Sequence, residues 1–318
     1  METIRRPFTG PLKTIELPRF ITHRDAIAGG LSDYALRRMP RVRDVPGVLL
    51  HPTQTDSVEV PEFADQDWVE TYSHAKAVQL WRPQLLIDSI SAARLYGFPL
   101  PYRLKEHAGL HIALPTCSNY PRLGEVHCRI TQLYEPQPWF GLWANSSIGV
   151  IVGLANHMSE DELVAVIDGL AGPFHGSPWM PIADIIEGLR TVDGARNIAL
   201  ARRAAARARD GVRSPMETKW RLLIVADGMP EPTVNLRVKV TRTQEREIDL
   251  AFEDFKVSVE YHGREYHLRT AKQIAEDNRR RLELEHVGWK VVVITGEFPA
   301  EDYMPEIRRE LRSRGWRG

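Results

Sequence analysis

The stretch REIDLAFEDFKVSVEYHGREYH, from Arg246 to His267, decides how this chain is read. REIDLAF alternates, with Ile248, Leu250 and Phe252 on one side and Glu247, Asp249 and Ala251 on the other. KVSVEYH alternates as well, setting Val257, Val259 and Tyr261 against Ser258, Glu260 and His262. A period of two marks a half-buried strand. Two such strands side by side carry Asp249, Glu260 and His262 toward one face of a sheet. A strand that only fills a core has no use for that polar density. Upstream, SPMETKWRLLIVADG opens a helix with Ser214 at the N-cap, Pro215 at the first helical position and Glu217 at the third. PTVNLRVKV then reads as a strand. Downstream, AKQIAEDNRRRLELEHVG is a long helix capped by Thr270 with Gln273, WKVVVIT is a near-continuous apolar strand of the buried kind, and EDYMPEIRRELRSRGW closes as a helix. The order is helix, three strands, helix, strand, helix.

Working outward, the chain divides into residues 1–58, 59–195 and 196–318. In the first part, FITHRDAIAGGLSDYALRRMPRVRDVPGVLLHP gives a short helix capped by Thr22 and ended at Gly29-Gly30. A second helix is capped by Ser32 and stopped by Pro40, and VPGVLLHP follows as a short strand or wing. This is a winged helix-turn-helix pattern. Arg37, Arg38 and Arg41 ride on or just beyond the second helix, where such modules contact base edges and phosphates of DNA. The competing reading is a helical module packed against its own chain or a protein partner. The middle part mixes helices, broken near Pro83 and stopped at Gly97 and Pro99, with strands in GLHIALPT and EVHCRITQLYE. Ser159 and Glu162 form a capping box, which with the helix dipole accounts for Asp161 and Glu162. An alanine- and arginine-rich helix from Ala195 to Ser214 bridges to the last part. The expected fold class is α/β, α+β overall, ending in a mixed sheet flanked by helices.

Composition sets the bounds. The 318 residues are 43% apolar and 26% charged, enough to bury cores and unlike a disordered chain. No apolar run is long enough to span a bilayer, so no membrane association is expected. The first twenty residues have no apolar centre and do not read as a signal peptide. Cys117 and Cys128 are too few for a disulfide framework or a four-cysteine zinc site, and a reducing cytoplasm is the simplest setting. Net charge is zero, with basic excess at both ends of the chain. That distribution permits nucleic-acid contact and equally describes a solvated basic surface.

An acid on one strand followed by acid-X-base on the next is the layout of metal-dependent phosphodiester cleavage. Carboxylates hold Mg²⁺ or Mn²⁺, which polarises the phosphate and acidifies a bound water, and a base assists proton transfer. His262 stands where such sites often have lysine, and His267 is a further ligand or base. Each residue also has a plain structural reading. Glu217 can serve its own helix cap, Asp277 can pair with Arg281 one turn on, and His262 can be an exposed strand residue.

At these residues the chain resembles the Vsr-like bacterial family, relatives of the very-short-patch mismatch-repair endonuclease within the PD-(D/E)XK restriction-endonuclease-like superfamily. The matching segments are SPMETKWRLLIVADGMPEPTVN, REIDLAF, KVSVEYHGREYH and EDNRRRLELEHVGWKVVVIT, roughly residues 213–296. The N-terminal part resembles, more weakly, the helix-turn-helix of AbiEi-type antitoxins. The resemblance implies a restriction-endonuclease-like C-terminal domain. It makes Asp249 the metal-binding aspartate, Glu260 the acid of the second strand, His267 a metal ligand or base, Glu217 the acid of the first helix and Asp277 an aspartate near the site. The family usually reads Glu-Tyr-Asp-Gly where this chain reads Glu-Tyr-His-Gly. Imidazole at position 262 lowers the local negative charge and favours a softer ion than Mg²⁺. The implied function is a metal-dependent DNA endonuclease in repair or defence. The alternative is a non-enzymatic DNA-binding or antitoxin-like regulator with a degenerate nuclease fold.

Overall fold

The computed structural model describes residues 8–42, 45–106, 109–116, 123–262, 270–296 and 298–318. They form a mixed α/β structure that separates into two compact units, Met1–Ala208 and Arg209–Gly318.

The first unit begins with strand β1 (Leu12–Thr22), helices α1 (His23–Ala28) and α2 (Asp33–Arg38), and strand β2 (Val48–Pro61). Thr22 and Ser32 cap the two helices by accepting from the backbone N–H groups of Asp25 and Ala35. Ala26, Leu36, Met39 and Leu49 form the small core beneath them. The segment expected as a short wing is a long strand, paired antiparallel with β1 along most of its length. Pro18 and Pro52 disguise both strands in the sequence, because proline cannot donate to a ladder. The structure accommodates them with a register shift between Pro18 and Phe20.

The unit continues through α3 (Gln66–Trp81), β3 (Leu86–Ile87), α4 (Ser89–Tyr96), α5 (Tyr102–Lys105), β4 (Leu110–Leu114), β5 (Val126–Ile130), β6 (Pro136–Trp139) and β7 (Leu142–Asn145). Helices α6 (Ser147–Leu154), α7 (Glu160–Ala171), α8 (Ile182–Arg190) and α9 (Ile198–Arg207) complete it. Its sheet runs β5-β4-β3-β7-β6. Buried Asp88 lies at its centre, ion-paired to Arg129 and bonded to Asn145. Helix α9 belongs to this unit: its alanines Ala201, Ala204 and Ala205 are buried, and Arg203 and Arg207 pair with Glu160 on α7.

The second unit has the expected order: α10 (Pro215–Ala226), β8 (Thr233–Lys239), β9 (Glu245–Phe252), β10 (Val257–His262), α11 (Ala271–His286), β11 (Lys290–Thr295) and α12 (Ala300–Ser313). The sheet runs β11-β10-β9-β8, with β10 and β11 parallel and the other pairs antiparallel. Trp220 and Ile224 of α10 and Met304, Ile307 and Leu311 of α12 cover one face, packing on Leu250, Phe252, Val257, Val259, Val292 and Ile294. Leu284 of α11 and Trp289 cover the other, packing on Ile248 and Ala251. Ile248 therefore does not share a face with Leu250 and Phe252, as strict alternation predicts. The break falls between the Val234–Leu250 and Leu236–Ile248 pairs of β8 and β9, where the ladder skips Asn235, whose backbone is left-handed with φ of 50°. A left-handed residue interrupts the pleat and re-aims the side chains around it.

Candidate active site

The site forms where β9 and β10 part. Their ladder pairs Val257 with Phe252, Ser258 with Ala251 and Val259 with Leu250, and pairing ends there. One step further, the Asp249 carboxylate takes the place of the ladder: its Oδ2 accepts from the Tyr261 backbone N–H at 3.0 Å. Glu260 follows Val259 on β10 and is only 5% exposed. Its Oε2 accepts from Arg280 of α11 at 2.7 Å, and its buried Oε1 has no hydrogen-bond partner among the described residues. The same Arg280 nitrogen lies 4.0 Å from Asp249 Oδ1 and donates to the backbone carbonyl of Glu247.

Electrostatics follow from that crowding. Burial, then the Asp249 charge, push the Glu260 carboxyl up to about 8, with Arg280 pulling the other way. Asp249 is also raised, first by burial, against the Tyr261 N–H and Arg280; Glu217 adds to the rise and His262 opposes it. Asp277 of α11 contributes repulsion at Glu260. A recess between the sheet and α11 is lined by Glu260, His262, Asp277, Arg280 and Arg281.

Glu217 stands at the start of α10 and is buried. Its Oε1 accepts from the Ser214 hydroxyl at 2.8 Å, and its Oε2 accepts from the Arg213 N–H at 3.0 Å and the Asn235 amide at 2.6 Å. It thus closes its own helix start and also adds charge beside Asp249. The structure brings together Asp249, Glu260, His262 and Glu217, with Asp277 at the rim. His267 lies outside the described residues. Arg37, Arg38 and Arg41 are exposed in the first unit, where Arg38 donates to the Tyr34 hydroxyl at 2.7 Å.

Two participants escaped the sequence reading. Asn235 holds Glu217 through its side-chain amide. Arg280 was readable: Asp277, Arg280 and Leu284 are spaced three and four residues apart, and Leu284 is buried, so Arg280 shares the sheet-facing side of α11.

Among the described residues, no group of three or more histidine, cysteine, aspartate or glutamate side chains is arranged to hold a metal ion. Two converging carboxylates do fit one, because Mg²⁺ is commonly held by one or two carboxylates and completes its shell with water and phosphate oxygens. Glu260 Oε1 has no hydrogen-bond partner among the described residues, and Asp249 Oδ1 has Arg280 at 4.0 Å. Two proteins of Mycobacterium tuberculosis are similar to the chain, uncharacterized protein MT2308 of strain CDC 1551 / Oshkosh and uncharacterized protein Rv2248 of strain ATCC 25618 / H37Rv. Each is 24% identical over 221 residues, covering 69% of this chain and 74% of the relative. No protein-family model matches the chain, and no solved structure matches it.

Proposed function

We propose that the C-terminal unit is a divalent-metal-dependent DNA endonuclease of the Vsr-like, restriction-endonuclease-like kind. One observation carries the reading: a buried carboxylate, Glu260, has an oxygen with no hydrogen-bond partner among the described residues and stands beside a second carboxylate, Asp249, with burial raising both carboxyls. Such a pair is poorly stabilised by itself and is stabilised by a small hard cation. Asp249 and Glu260 would hold the ion, which supplies phosphate polarisation and an acidified water. His262 lies beside the pair and lines the same recess. Glu217, held by Ser214, Arg213 and Asn235, keeps a further negative charge at the site. The exposed arginines Arg37, Arg38 and Arg41 suit contact with DNA phosphates or base edges.

A second reading rests on Arg280. Its guanidinium already neutralises Glu260, which is what a nuclease fold that has lost its metal would retain, leaving a DNA-binding or antitoxin-like regulator. Calorimetric titration with Mg²⁺ and Mn²⁺, beside a plasmid-nicking assay, separates the two. The endonuclease reading expects metal binding and nicking by the wild type, both lost in Asp249→Asn. Retained DNA binding with neither metal uptake nor nicking hands first place to the regulator.

A further inference from the structure

We propose that Arg280 is a built-in competitor for the metal: its guanidinium occupies the carboxylate site in the resting protein, and a divalent ion must displace it to bind. The inference rests on the endonuclease reading and adds to it a gate that belongs to the chain itself. One guanidinium nitrogen lies 2.7 Å from Glu260 Oε2 and 4.0 Å from Asp249 Oδ1, so it reaches both carboxylates expected to hold the ion. Two cations cannot share that space without repulsion, and the site's low accessibility sharpens the conflict. Arg280 is itself 35% exposed along its side chain, so it has somewhere to go. It sits on α11 beside the recess lined by His262, Asp277 and Arg281. A guanidinium released there is suited to a phosphate oxygen, which it can grip with two donors. Metal entry would thereby expose the group that holds the DNA backbone.

The test measures metal affinity rather than cleavage. Mn²⁺ is titrated calorimetrically into wild type, Arg280→Gln and Arg280→Lys, with melting curves to establish that each is folded. Removing the competitor should tighten Mn²⁺ binding by about tenfold in Arg280→Gln, within the usual range for coupled sites. Arg280→Lys keeps the charge and should stay near wild type. A side chain that merely braces the fold gives the opposite result, unchanged or weaker binding in folded Arg280→Gln, and that overturns the proposal. In the wild type itself, saturating Mg²⁺ should shift the Arg280 Nε–H resonance; an unmoved resonance at saturation also overturns it. Failure of every protein, wild type and variants alike, to bind either metal sinks the parent endonuclease reading instead.

Discussion

At Glu260 the chain buries a carboxylate with one oxygen on Arg280 and the other on no partner among the described residues. Its ordinary value is 4.5, and in the folded protein it is pushed up to about 8. Between those values the folded chain holds a proton that the unfolded chain has released. Stability is therefore greatest below the lower value and falls as pH rises through the window. Asp249, raised as well, adds to the same slope. Glu260→Gln should flatten this dependence in metal-free protein and gain on the order of 1–3 kcal/mol at pH 8. Urea unfolding at pH 5 and pH 8 checks it, and parallel losses in variant and wild type would show that Glu260 is not the titrating group. His262 offers a second test. Replacing the imidazole by a carboxylate in His262→Asp should raise Mg²⁺ affinity, because the hard ion prefers oxygen donors. Equal affinities by calorimetry would mean that position 262 does not reach the ion.

Strand β8 shapes the site through one residue. Asn235 takes a left-handed backbone between Val234 and Leu236, which pair with Leu250 and Ile248, and donates its amide to Glu217 Oε2 and to the Gly211 carbonyl. Asparagine tolerates that backbone better than most residues, and glycine tolerates it best. Asn235→Ala loses both hydrogen bonds and strains the backbone, and should cost about 2–4 kcal/mol; Asn235→Gly loses the bonds alone and should cost less, by about 1 kcal/mol or more. Equal losses in chemical denaturation would place the whole effect in the side chain. The same residue shows where sequence reading stops. Caps at Thr22, Ser32, Ser159, Ser214 and Thr270 were legible because each depends on neighbours three residues away. The succession of helices and strands in the second unit was legible from caps and hydrophobic patterning, whereas the order of its strands in the sheet was not read. The face of Ile248 was not legible, since alternation assumes an unbroken pleat and Asn235 breaks it from a neighbouring strand. Strand β1 was not legible either, because its partner lies beyond two helices and both strands carry proline.

At the scale of the whole molecule, the two units separate after Ala208, each with its own buried core. The alanine-rich helix α9 was readable as a helix from composition alone, but its membership was not. That depends on which surface its alanines cover and on ion pairs to Glu160 on α7. The arginines near α2 give the first unit its own test. If that unit holds DNA, Arg37→Ala with Arg38→Ala should weaken binding by about 1–3 kcal/mol per lost base contact, or lower the salt slope by about one per lost phosphate contact. Fluorescence anisotropy at several salt concentrations distinguishes these, and unchanged binding points to a protein partner for this surface.

The connection between β10 and β11 has a further consequence, for the order of folding. Asp249 and Glu260 come from adjacent strands joined by only a short turn at Glu253–Phe255, so local pairing brings them together first. Their counter-charge arrives later, because Arg280 is carried by the helix that crosses over to β11, and closing that longer loop is the slower event. Until then two carboxylates confront each other with no cation between them. Refolding should accordingly speed up as pH is lowered from 8 toward 5, with much less change in Glu260→Gln, and stopped-flow fluorescence of the tryptophans would follow it. A rate independent of pH in the wild type would mean that the strands meet only after the helix has docked.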